Sequence, residues 1–189
     1  MQYLKKIPIV VCLLLLTTCL AFSQKPYALK SHKMSVDGTS SLHDWTSDVT
    51  KIAWSGNLTV EGTSVKAISN VNVTIAVTDI KSEKGGMMDD KTYEAFKSEQ
   101  HPTITFKLTS ATVTGSTIKA NGTLTMAGAS KPIVMTVASK VLADGSVHLS
   151  GSQVINMKDY QMTPPKAVMG TIKVGEKVTL LYELTVTPQ

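Results

Sequence analysis

Val71-Asn72-Val73-Thr74-Ile75-Ala76-Val77-Thr78 alternates, residue by residue, between an apolar side chain and a small or polar one. Successive side chains of an extended chain point to opposite faces, so a period of two is the strand period, and this stretch has one oily and one wet face. The pattern returns near the C-terminus, where Val178, Leu180, Tyr182, Leu184 and Val186 alternate with Thr179, Glu183, Thr185 and Thr187. After Pro132 it returns again in Ile133, Met135, Val137 and Val141. Abundant Val and Thr favour strand over helix throughout.

Between these runs stand turn signals: Asp37-Gly38, Glu61-Gly62, Thr114-Gly115, Ala127-Gly128, Asp144-Gly145 and Val174-Gly175. They divide the chain into about eight strands, near residues 26–36, 46–60, 64–79, 103–113, 117–126, 131–142, 145–156 and 176–187. One stretch departs from the period. Residues 89–97 begin with Asp89 and Asp90, where a helix N-terminus favours negative charge, and end with Lys97, where the C-terminus favours positive charge. Tyr93 and Phe96 share a face of this expected helix, which crosses four places along the sheet before His101-Pro102 ends it. An all-β chain must protect its strand edges by closing into a barrel or stacking as a sandwich, and periodicity alone does not choose between the two.

The N-terminus reads as an export signal. Lys5 and Lys6 precede an apolar run that starts at Ile7, and small and polar residues lead to Ala21-Phe22-Ser23, after which cleavage is expected. About 14 largely apolar residues fall short of the ~20 that span a bilayer. The domains are therefore a signal peptide, 1–23, and one mature domain, 24–189, long enough to bury its own core. The mature protein is expected to be periplasmic or secreted. A lipid anchor at Cys19 is disfavoured because Leu16-Thr17-Thr18 lacks the small residue usually found before a lipidated cysteine. Cys12 and Cys19 both leave with the signal, so neither a disulfide framework nor a thiolate metal site is expected.

Among 19 Lys and Arg, every one is lysine. Without arginine's planar fork, and with the lysines scattered, a nucleic-acid partner is not expected. The sequence holds no G-x-S-x-G elbow, no H-E-x-x-H and no phosphate-cradling glycine loop, so no enzymatic activity or cofactor is expected. His43 and Asp44 point to opposite faces of an extended strand, and His32, His101 and His148 show no ligand spacing, so no metal site is expected either.

Met88-Asp89-Asp90-Lys91-Thr92-Tyr93-Glu94-Ala95-Phe96-Lys97, followed by His101-Pro102-Thr103-Ile104-Thr105-Phe106, resembles the short helix and strand entry of the YceI family. Residues 120–128 with Lys131-Pro132-Ile133 look like that family's G-x-L-T-x-x-G-x-x-x-P hairpin, and residues 156–162 and 172–178 resemble its next two signatures. The four pieces occur in order over most of the mature chain. The resemblance implies an all-β fold, an eight-stranded antiparallel lipocalin-like barrel with one short helix, whose interior holds a long isoprenoid such as a polyprenyl chain or quinone tail. It also implies export to the periplasm. Lys158 stands where the family usually has arginine, keeping the charge of a buried salt bridge but losing the fork.

Eight strands make a barrel that either fills with side chains or keeps one slender cavity. Flexible thioethers suit a flexible chain, so the expected ligand wall is Met87, Met88, Met126, Met135, Met157, Met162 and Met169, with Trp45 at one barrel end and Tyr93, Phe96 and Phe106 near the helix. Ala76, Ala127 and Ala138 are expected to leave room inside, and Met162–Gly170 to cover one mouth. A tail of some 20 carbons gains about 15 kcal/mol at ~0.8 per methylene, less several for ordering and association. The expected partner is an isoprenoid or other long-chain lipid, with a homodimer and a transient membrane contact both compatible. The rival reading is a secreted structural or interaction module with a packed core and no ligand.

Overall fold

The computed structural model describes residues 24–167 and 170–189; the expected signal peptide and Met169 lie outside them. The strands are β1 (Lys25–Ser40), β2 (Trp45–Val49), β3 (Ala53–Glu61), β4 (Ser64–Ala76), β5 (Ile80–Ser82), β6 (Thr103–Thr114), β7 (Thr117–Met126), β8 (Ala129–Val141), β9 (Val147–Asn156), β10 (Lys166–Ala167) and β11 (Ile172–Pro188). One α-helix, α1 (Gly86–Phe96), lies between β5 and β6. Following the pairings, β1, β3, β4, β6, β7, β8, β9 and β11 form a ring, which the β11–β1 ladder from Tyr27↔Pro188 to Ser40↔Val174 closes. The protein is a closed eight-stranded antiparallel barrel with one helix, in which every long strand has a partner on both sides along part of its length.

Two expected strands are broken, and their breaks face each other. The 46–60 run divides into β2 and β3 around Thr50, and the 64–79 run divides into β4 and β5 at a 3-10 turn, Val77–Asp79. The Thr50 backbone N–H and its hydroxyl both donate to the Asp79 carbonyl, at 2.8 and 3.0 Å, pinning one break to the other. Beyond it, β1 changes partner from β3, ending at Ala28↔Ser55, to β2, starting at Ser35↔Asp48. Two turn signals also lie inside strands: Asp37-Gly38 within β1 and Val174-Gly175 within β11, where the β1–β11 register shifts.

The helix begins three residues earlier than the charge pattern indicates, on Gly85 as a cap with no side-chain bond. Asp89 instead latches the helix to the sheet: its carboxylate accepts from the Ser82 N–H at 2.7 Å and lies 3.3 Å from the Lys81 ammonium. Nor does the helix cross four places, since it leads from β5 to β6 and β6 pairs directly with β4, the partner strand before the break.

The two ends of the barrel differ. At the base, the β3–β4, β6–β7 and β8–β9 turns and both ends of the described chain surround a filled core of Tyr27, Leu58, Val65, Ile118, Val147 and Val186. A salt bridge fastens this end, with Lys30 Nζ 2.7 Å from Asp144 on the β8–β9 turn. That hydrogen bond, helped by the Ser146 N–H, lowers the Asp144 pKa from 3.8 to about 2. A carboxyl whose folded pKa is depressed adds stability above its unfolded value and loses it as pH falls from 3.8 towards 2. Lys30→Ala is expected to return the Asp144 midpoint towards 3.8, read by carboxyl carbon shifts in an NMR pH titration; an unmoved midpoint would assign the depression to the turn's own N–H.

Ladder lengths matter for the site. β8 pairs with β7 from Thr117↔Ala138 to Met126↔Ala129, and β9 pairs with β11 from Lys177↔Asn156 to Val186↔Val147. Between themselves β8 and β9 pair only from Val137↔Gly151 to Val141↔Val147. Residues 129–136 of β8 and 152–156 of β9 therefore run beside each other without a ladder.

Candidate binding cavity

Above the packed base the inward faces enclose one cavity of about 610 Å³, within the 300–1,000 Å³ usual for small-molecule sites. At about 30 Å³ per water-sized unit it has room for roughly 20 groups the size of a methylene. Its floor is Trp54, Ile118, Leu149 and Leu184; its waist is Val71, Ile75, Phe106, Ala120, Leu124 and Met135; its upper wall is Met126, Met157, Met162 and the Phe96 end of α1. The lining is overwhelmingly apolar, as period-two strands require when their oily faces all point inward. The cavity opens at the α1 end, where His43, Asp44, Glu83, Lys84, Lys91 and Lys166 form a polar rim around the exposed Leu42.

Of the residues expected to form the wall, Trp45, Met88, Phe96, Phe106, Met126, Met135, Met157 and Met162 line this one cavity. Met87 does not: at the exposed start of α1 it is 77% accessible. Nor does Tyr93, whose hydroxyl turns outward to β5, accepting from Lys81 Nζ at 2.5 Å and donating to the Thr78 carbonyl at 3.2 Å. That bond, with Asp89 alongside, holds the Lys81 pKa above its usual value. None of the three alanines expected to make room lines the cavity. Ala127 occupies the β7–β8 turn with φ of 49°, and Ala138 shares the outward parity of Thr136. Ala95 and Ala120 supply the space instead. Much of the wall is aliphatic rather than thioether, and the signal for it was the alternation itself: Val71, Val73 and Ile75 are inward for the same reason they are apolar.

At the rim, Ser40 Oγ donates to the His43 carbonyl at 2.7 Å and accepts the Leu42 and His43 N–H groups at 3.2 Å, shaping the loop into β2. His43 Nδ1 lies 2.7 Å from the Asp44 carbonyl, which can only accept, so the proton sits there and Nε2 is free to accept from Lys84 Nζ at 3.1 Å. Lys158 pairs with Glu176 on the exposed surface, not in a buried bridge. Inside, burial pushes the Tyr182 phenol up to about 12, so it stays protonated, and its hydroxyl reaches the Thr136 carbonyl only at 3.5 Å.

Trp45 owes its position to Gly38. A Cβ at Gly38 would lie 2.2 Å from the Trp45 ring, so only glycine lets the indole lie flat on β1, where its N–H donates to the Thr39 carbonyl at 3.2 Å. Gly38→Ala is expected to cost about 1–3 kcal/mol as the ring is displaced. In a Trp54→Phe background the remaining emission should shift red; unchanged emission would mean the indole is not seated on β1.

A YceI-like domain model matches residues 27–186. No curated protein matches the chain. The structure is similar to BcnA of Burkholderia cenocepacia, with a TM-score of 0.68 at 16% identity over 82% of this chain and 96% of that one. It is similar to a polyisoprenoid binding domain from Saccharophagus degradans, with a TM-score of 0.66 at 11% identity over 86% and 98%. A mutant YceI protein of Campylobacter jejuni gives 0.57 at 20% identity over 74% and 85%. At these identities the likeness to the solved structures is one of fold.

Proposed function

We propose, from the premise that this chain belongs to the YceI-like domain family, that it is an exported, non-catalytic protein that holds a polyisoprenoid or similar long apolar lipid inside its barrel. The observation that carries this reading is the continuous oily cavity of about 610 Å³ between the packed base and the polar rim. A packed module would fill that space, because empty apolar volume in a core costs stability. The space instead matches a thin chain of roughly 20 carbons. The Saccharophagus degradans relative, described as a polyisoprenoid binding domain, supports the same ligand class. Export with removal of residues 1–23 follows from the signal-like N-terminus, and a cargo this insoluble implies transient contact with a membrane.

The test is native mass spectrometry of the purified mature protein, with organic extraction of what accompanies it. An adduct of isoprenoid mass is expected, or, from delipidated protein, one-to-one uptake of added geranylgeraniol. Because a ligand that binds only the native state stabilises it, a hundredfold excess over Kd should add about 2.7 kcal/mol to unfolding. Recovery of no lipid together with no uptake would return the chain to the packed-module reading.

A further inference from the structure

One stretch of the cavity wall lacks a ladder. Where β8 residues 129–136 and β9 residues 152–156 run without a ladder, a groove of about 320 Å³ indents the outer surface. Ile133, Gln153 and Ile155 line that groove and also line the inner cavity, so the two spaces meet across a wall one side chain thick. On the outer face Val134 and Val154 are 48% and 57% exposed, and continuing the β8–β9 register would set them opposite each other. Pro132, which has no N–H to offer a ladder, sits in the same unpaired half.

The geometry points to a lateral portal: the seam between β8 and β9 is where a lipid tail enters and leaves the barrel, while a polar head group stays at the rim. This inference rests on the lipid-binding reading above. Parting two paired strands breaks hydrogen bonds, each worth about 1 kcal/mol net. Along this seam no ladder has to be broken. The open end, ringed by Asp44, Glu83, Lys84 and Lys91, is where a polar head group keeps its contact with water and charge. At the seam Ile133 and Ile155 line both spaces and Val154 lines the groove, whose edges Lys131, Asn156 and Asp159 are polar, so a tail entering here crosses one layer of side chains.

The experiment bridges the lips. Val134→Cys with Val154→Cys places two thiols across the seam in a mature chain with no other cysteine, and a flexible bis-maleimide joins them. Transfer of dansylated geranylgeraniol from phosphatidylcholine vesicles is followed by energy transfer from Trp45 and Trp54, which both line the cavity. Bridging is expected to slow loading and unloading alike by about tenfold or more, as a locked lid does, with equilibrium occupancy changed less than about twofold. Equal rates before and after bridging would overturn the portal while leaving lipid binding intact. Failure of the untreated variant and the parent to take the probe at all would overturn both readings, a result the rate comparison cannot mimic. If the bridged protein does not fold, Gln153→Trp, which fills the seam from inside, decides the matter: slowed transfer supports the portal and parental rates refute it.

Discussion

Ala120→Trp is expected to cut geranylgeraniol uptake by at least tenfold without unfolding the protein. Ala120 lies on β7 at the waist of the cavity, paired with Met135 of β8 on one side and Ala111 of β6 on the other. Its methyl faces empty space, so an indole there enters volume that already exists and avoids the overpacking that such a change costs in a filled core. The same indole takes the place of about five methylenes of the bound chain. At ~0.8 kcal/mol each that is about 4 kcal/mol, close to a thousandfold in affinity. Stability should hold or rise, because the new ring buries apolar surface. Isothermal titration with the prenol, paired with thermal unfolding of the same samples, reads both quantities. A folded variant that binds as the parent does would mean the waist is not where the chain lies.

Leu58→Ala should have the opposite profile, a large loss of stability with little change in binding. Leu58 is 1% exposed in the base core and does not line the cavity. Removing its branches creates a new void among Tyr27, Val65 and Val186 at an expected cost of about 3 kcal/mol. For a domain of this size that lowers Tm by roughly 6–12 °C. Leu124→Ala is the instructive partner. Leu124 is buried but already borders the cavity, so the substitution enlarges an existing space and should cost about 1 kcal/mol less. Equal losses at the two sites would mean that the cavity is collapsed in solution.

How much of this could be read from the sequence follows from which physics each element obeys. Runs such as Val71–Val77 and Val178–Val186 carry a period that only a strand satisfies, and β4 and β11 fall where it places them. Closure of the sheet is a long-range property, encoded in the β1–β11 ladder, and no local pattern reveals it; the family resemblance did. The breaks at Thr50 and Val77–Asp79 were not legible because neither carries a glycine or proline, and the Thr50–Asp79 bonds that fix them join residues remote in sequence. Gly38 and Gly175 misled in the other direction. Glycine marks turns, but Gly38 is needed as the floor beneath Trp45 within a strand.

At the site, parity was the dependable guide. Met135 is inward because Ile133 and Val137 are, and Ala138 is outward by the same count. Tyr93 shows the limit of helical spacing: three residues from Phe96 it shares a general face, yet the Lys81 ammonium on β5 and the Thr78 carbonyl of the 3-10 turn draw its hydroxyl away from the interior. The unpaired stretch of β8 and β9 left no mark in the sequence beyond Pro132, because both strands satisfy the alternation whether or not they pair with each other.

The pairing of Thr50 with Asp79, set beside the filled core below it, divides the molecule into two thermal regimes. Amides beneath that pin, backed by Leu58, Val147 and Val186, are expected to exchange with deuterium only when the whole chain unfolds; those of β2, β5 and β10 depend on ladders two to four residues long and are expected to exchange through local opening. The barrel thus has an annealed floor and a pliant lip, whose short ladders can open without spending the stability that keeps the chain folded.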